Sequence, residues 1–61
     1  MPQTLLKQAE ATRDLARRAR KLAEEFTAEA DRQRLRRHAE DLEAQAAELE
    51  RRAAAGSRKS A

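Results

Sequence analysis

Phe26-Thr27-Ala28-Glu29-Ala30-Asp31-Arg32-Gln33-Arg34-Leu35 separates two regular apolar series, and how it is crossed sets the architecture. Nothing in it forces a break. No Gly or Pro lies between Gln3 and Ala55, and Ala28, Glu29 and Ala30 are good helix formers. The informative property is the phase of the residues on either side. Upstream, Leu5, Ala9, Thr12, Leu15, Ala19, Leu22 and Phe26 recur at steps of three and four, with Ala16 and Ala23 beside them, which describes one narrow apolar stripe on a helix. Downstream, Leu35, Ala39, Leu42, Ala46, Leu49 and Ala53 do the same. At about 100° per residue, the interval from Phe26 to Leu35 rotates the stripe by about 180°, so a continuous helix would aim its two apolar halves in opposite directions. A turn at about residues 26–30 removes the conflict by folding both stripes onto one seam.

The sequence therefore predicts an all-α protein, an antiparallel two-helix hairpin over residues 1–56 with helix 1 at about 3–26, helix 2 at about 30–55 and a flexible tail at 57–61. Helix 1 is expected to begin between Pro2 and Thr4, since proline is tolerated in a first turn. Thr27 is the expected N-cap of helix 2, with Glu29 and Asp31 suitably negative for its first turn. Gly56 is the expected left-handed residue closing it, after Arg51 and Arg52 at the negative end of the dipole. Arg36/Glu40, Arg37/Asp41 and Glu48/Arg52 are spaced to pair on the surface.

Composition agrees with helix. Fifteen Ala and seven Leu supply nearly all of the apolar 39%, no Val, Ile, Trp or Tyr is present, and charged residues make up 41%. A chain of 61 residues without cysteine and with one histidine has neither disulfides nor an evident metal site to supplement a thin core. Self-association remains. The expected oligomer and core residues are Leu5, Leu15, Ala19, Leu22, Phe26, Leu35, Ala39, Leu42, Ala46 and Leu49, and the expected assembly is a homodimer in which two hairpins form a four-helix bundle.

The formal charge of +3 is mild, and Arg58 and Lys59 of the tail contribute much of it. No apolar run reaches the length of a membrane span or a signal peptide's central region, and Glu10 and Asp14 are unlike acid-poor transit peptides, so the expectation is a cytoplasmic protein without a membrane partner. No nucleophile stands beside a base, no Gly-rich loop is present and the acids alternate with Arg on polar faces, so neither an enzyme nor a cofactor is expected. His38 reads as a boundary residue of helix 2. Arg13, Arg17 and Lys21 form a column at four-residue steps, with Arg20 alongside. They are the candidate contact for nucleic acid or an acidic partner, through phosphate alone because no aromatic interleaves them. Arg32, Arg34, Arg36 and Arg37 point around helix 2 and read as a solubility feature first and partner docking second.

Leu22-Ala23-Glu24-Glu25 before Thr27, then Asp31-Arg32, Leu35 and Ala39-Glu40-Asp41-Leu42, resembles short bacterial helical-hairpin proteins of unknown function, over about residues 12–53. That resemblance implies a fold without an activity. The chain length, the hairpin and His38-Ala39-Glu40-Asp41-Leu42 also resemble the Rop family, which implies a dimeric four-helix bundle whose first helix faces paired RNA loops. On this chain that face would offer Arg13, Arg17 and Lys21, with Asp14 interrupting it. The resulting expectation is a small self-associating helical structural or protein-interaction module, partnered by itself or by another helical protein. The alternative is a dimeric RNA- or DNA-binding protein.

Overall fold

The structure is a computed structural model that describes residues 2–60, with side chains described for residues 4–56. Two helices, α1 (Pro2–Glu25) and α2 (Glu29–Ser60), are joined by Phe26, Thr27 and Ala28 and pack along each other, and no strand occurs among the described residues. The phase reversal between the two apolar series is thus resolved by doubling back. α2 sets the long dimension: its 32 residues span about 48 Å at 1.5 Å each, against a molecular length of 50 Å.

Local chemistry accounts for where the chain turns. α1 ends in Leu22-Ala23-Glu24-Glu25 with no basic residue in its last turn, so two carboxylates lie at the negative end of its dipole, where they disfavour continuation. Its final turn tightens as the Phe26 N–H donates to the Ala23 carbonyl at 3.4 Å, three residues back. α2 opens with the Arg32 N–H donating to the Ala28 carbonyl at 3.1 Å. Ala28 therefore occupies the N-cap position, one residue later than the expected cap at Thr27. It brings no side-chain acceptor to the exposed N–H groups, and the first turn relies on Glu29 and Asp31 to complement the dipole.

The far end of α2 also differs from expectation. The helix does not close at Ala55; it runs on through Gly56 to Ser60, so residues 57–60 of the expected tail are helical in backbone, and Ala61 lies outside the described residues. Gly56 is not left-handed, since no described residue has positive φ, and a Cβ built on it would meet nothing within 4 Å. Glycine inside a helix costs about 1 kcal/mol relative to alanine but does not forbid it, and no competing turn residue follows at once.

The seam is built of alanine. Ala9, Ala16, Ala19, Ala23, Ala39, Ala46 and Ala53 are each at most 5% exposed, and no large side chain among the described residues is fully buried. On α1 the seam runs Leu5-Ala9-Thr12-Ala16-Ala19-Ala23; on α2 it follows the expected stripe, with Leu35, Leu42 and Leu49 half-buried between the alanines. Ala16, Ala19 and Ala39 form a single cluster with Leu42 packed on it. Small residues of one helix thus receive a leucine of the other. Three expected core residues of α1 lie outside this seam: Leu15 is 51% exposed, Leu22 46% and Phe26 43%. Two facing helices reward close backbone approach, and a methyl group permits it where an isobutyl group does not.

Both terminal assignments are testable by thermal melts followed by circular dichroism. Gly56→Ala is expected to stabilise the hairpin by roughly 0.5–1 kcal/mol, whereas a left-handed Gly56 would make the same change destabilising. Ala28→Asp is expected to add about 1 kcal/mol by capping, while Thr27→Ala changes little, and the reverse ranking would return the cap to Thr27.

Candidate functional site

The seam divides the surface of the hairpin into two unlike edges. At about 100° per residue, Arg13 and Arg20 lie about 70° to one side of the α1 alanines, and Leu15 and Leu22 lie about 90° to the other. On α2, Glu43 and Glu50 flank the alanines on the side that meets α1's arginines. Arg13 Nε and Nη2 donate to Glu50 Oε2 and Oε1, both at 2.7 Å, and Arg20 Nε and Nη2 donate to Glu43 Oε2 and Oε1 at 2.9 and 2.7 Å. These are two forked guanidinium–carboxylate pairs. Arg20 lies seven residues after Arg13, and its partner seven residues before the partner of Arg13, as antiparallel helices require.

Hydrogen bonding from Arg20 holds the Glu43 carboxyl below its ordinary value of 4.5, and Arg13 does the same for Glu50. Both guanidinium groups are correspondingly raised, chiefly by the same hydrogen bonds. Glu48 is lowered chiefly by its hydrogen bond to Arg52 and then by the charge of Arg51.

The structure accordingly divides the four candidate basic residues. Arg13 and Arg20 are clasped by acids of α2, Arg17 pairs with Asp14 three residues earlier, and Lys21 stands on the outer face of α1, lining a shallow groove of about 300 Å³ with Arg18, Leu22 and Glu25. No continuous row of four cations faces solvent. In the cluster opening α2, Arg32 and Arg34 lie 3.9 Å from Glu29 and Asp31. Arg32 occupies the place in the heptad series where Ala39, Ala46 and Ala53 would be continued, and its Nε is buried with no hydrogen-bond partner.

Within the helices, the acid precedes the base in every pair: Asp14 with Arg17, Glu29 with Arg32, Asp31 with Arg34, and Glu48 with both Arg51 and Arg52. The expected Glu48/Arg52 pair forms at 3.2 Å. Arg36/Glu40 and Arg37/Asp41 are not among the pairs within 4 Å, in keeping with the poorer geometry of a base placed before its acid.

The opposite edge is apolar. Leu15 and Leu22 of α1 and Phe26 of the connection stand exposed beside the half-buried Leu35, Leu42 and Leu49 of α2. Leu6, 46% exposed, lies about 180° around α1 from Leu15 and takes no part in this edge. A second shallow groove, about 420 Å³, lies on the outer face of α2 between Ala44, Gln45, Glu48, Leu49 and Arg52. His38 is exposed. Among the described residues no group of three or more His, Cys, Asp or Glu could hold a metal ion, and no helix is long and apolar enough to cross a membrane.

The site is thus a surface, one apolar edge of an antiparallel helical hairpin, in place of a pocket. No family model, curated protein or solved structure matches the chain.

The clasped carboxylates predict a direction of pH dependence. A carboxyl lowered in the folded state contributes stability that is present above its ordinary value of 4.5 and lost as pH falls through the folded-state value. The thermal midpoint is therefore expected to drop as pH is taken below 4.5, and the Glu43→Gln, Glu50→Gln double variant to start lower at neutral pH and drop less. Equal slopes in the two proteins would show that the cross-helix pairs carry no linkage.

Proposed function

We propose that this chain is a small, non-catalytic, self-associating helical module that acts through protein–protein contact, with the homodimeric four-helix bundle as its working form. One observation carries the reading: among the described residues the hairpin buries only alanines completely, while Leu15, Leu22 and Phe26 remain 43–51% exposed. Covering the exposed half of one such side chain contributes roughly 1 kcal/mol, so covering three in each copy adds up to a sizeable fraction of the roughly 5–15 kcal/mol by which domains stay folded. A chain of this size that leaves those groups in water forgoes the stabilisation a second layer would supply. The bundle implied by the resemblance to the Rop family is the simplest second layer, because helices with heptad-spaced apolar rows pack at shallow angles on copies of themselves.

Binding of RNA or DNA has less support. Phosphate recognition draws on uncommitted cations, and Arg13, Arg17 and Arg20 each hold a carboxylate.

Sedimentation equilibrium across the micromolar range tests the proposal. The apparent mass is expected to rise from the 6.9 kDa of one chain to about twice that, with helicity rising in step. A fully helical species that holds one-chain mass throughout would defeat it. Titration of labelled duplex RNA and DNA should show no saturable binding at physiological salt; binding that weakens steeply with salt and is lost in Arg17→Gln, Lys21→Gln would favour the alternative.

A further inference from the structure

We propose that the partner copy seats on the apolar edge formed by Leu15 and Leu22 of α1, Phe26 of the connection, and Leu42 and Leu49 of α2, and that the Arg13–Glu50 and Arg20–Glu43 edge faces away from it. This assignment rests on the self-association proposed above and names the face that carries it.

Three observations select this edge and this occupant. The two edges are chemically opposite: one is closed by forked ion pairs whose donors and acceptors already satisfy each other, and the other presents large apolar groups with nothing across them. Seating a partner on the ion-paired edge would strip water from four charges and return no apolar burial. Seating it on the other covers the exposed leucines.

The spacing of the apolar edge then specifies a helical occupant. Leu15 and Leu22 are seven residues apart on α1, as are Leu42 and Leu49 on α2, so the edge repeats with the heptad period that knobs-into-holes packing uses. A second copy brings the same period on both of its helices.

The charges bordering the edge exclude the other natural occupants of an apolar helix face. On the outer flank of α1, Asp14 and Glu25 stand with Lys7, Arg18 and Lys21, two acids and three bases. An anionic membrane surface or a nucleic acid would require a basic border, which this is not. A border of both signs is self-complementary, since each copy carries the counter-charges of the other.

Sedimentation equilibrium and circular dichroism on the full chain and four variants test the assignment. Leu15→Gln and Leu22→Gln keep a good helix former at exposed positions and are expected to raise the dimer Kd about tenfold or more each. Gln8→Leu is the informative counterpart, because Gln8 is exposed one heptad before Leu15 on the same edge; it is expected to lower the Kd about tenfold, a gain that misfolding cannot imitate. Arg17→Gln, on the opposite flank, is expected to leave the Kd unchanged. Raising salt is expected to change association little, since it screens both the weak repulsion of two copies of net charge +3 and the attraction between their exposed mixed borders, while the apolar contact is left in place. A Kd indifferent to Leu15, Leu22 and Gln8 in a chain that still associates would overturn the face and leave self-association standing. Absence of association at every concentration would overturn both. Leu22-dependent co-sedimentation with phosphatidylserine–phosphatidylcholine vesicles at concentrations where the chain alone stays single would replace the second copy with a lipid surface.

Discussion

Alanine at every seventh residue of both helices lets the two backbones of the hairpin approach closely, and the other features of the molecule are arranged around that approach. Ala9, Ala16 and Ala23 on α1 and Ala39, Ala46 and Ala53 on α2 are the buried series. Close helices bring the side chains flanking the seam within reach of each other, which is what allows Arg13 and Arg20 to clasp Glu50 and Glu43 across it. The same closeness leaves no room for leucines of both helices to meet in the seam, so Leu15 and Leu22 of α1 stand at an edge while the leucines of α2 are half-buried against alanines. A thin interior and a greasy exterior are two aspects of one packing solution.

The hairpin itself was legible in the primary structure because it rests on a phase relation. Once the Phe26-to-Leu35 interval is seen to reverse the apolar side, a doubled-back chain follows irrespective of propensity, and the stripe of α2 can be read directly as Leu35-Ala39-Leu42-Ala46-Leu49-Ala53. The α1 seam was harder. Two overlapping series run along that helix, one through Ala9, Ala16 and Ala23 and one through Leu15 and Leu22, and ranking residues by hydrophobicity favours the second. Packing of only two helices favours the first, because close approach is limited by size and not by oiliness. The signal available in the sequence was the uninterrupted seven-residue alanine repeat on both helices.

The two cross-helix pairs could not be read from the chain for a different reason. Which arginine meets which glutamate depends on the register between α1 and α2, set by how the three-residue connection places the start of α2. A column of bases on one helix and spaced acids on the other look, in isolation, like a solvated face and a candidate anion site. Joined, they become a latch. Polarity within each helix tells a related story: the acid-before-base order of all the local pairs follows the direction of the helix, so sequence spacing alone, without that direction, overstates the number of pairs that form.

A smooth alanine seam has one weakness, namely that it repeats after seven residues and so offers almost equivalent packing if one helix slips by a heptad along the other. The forked pairs make those alternatives unequal. A slip in one direction would bring Arg13 to Glu43 but set Arg20 against Arg36, and a slip in the other would bring Arg20 to Glu50 but leave Arg13 opposite Ser57. Only the observed alignment satisfies both arginines at once. The ion pairs, too exposed to add much to stability, thereby act as a vernier that selects one setting from a series the alanines alone would leave degenerate.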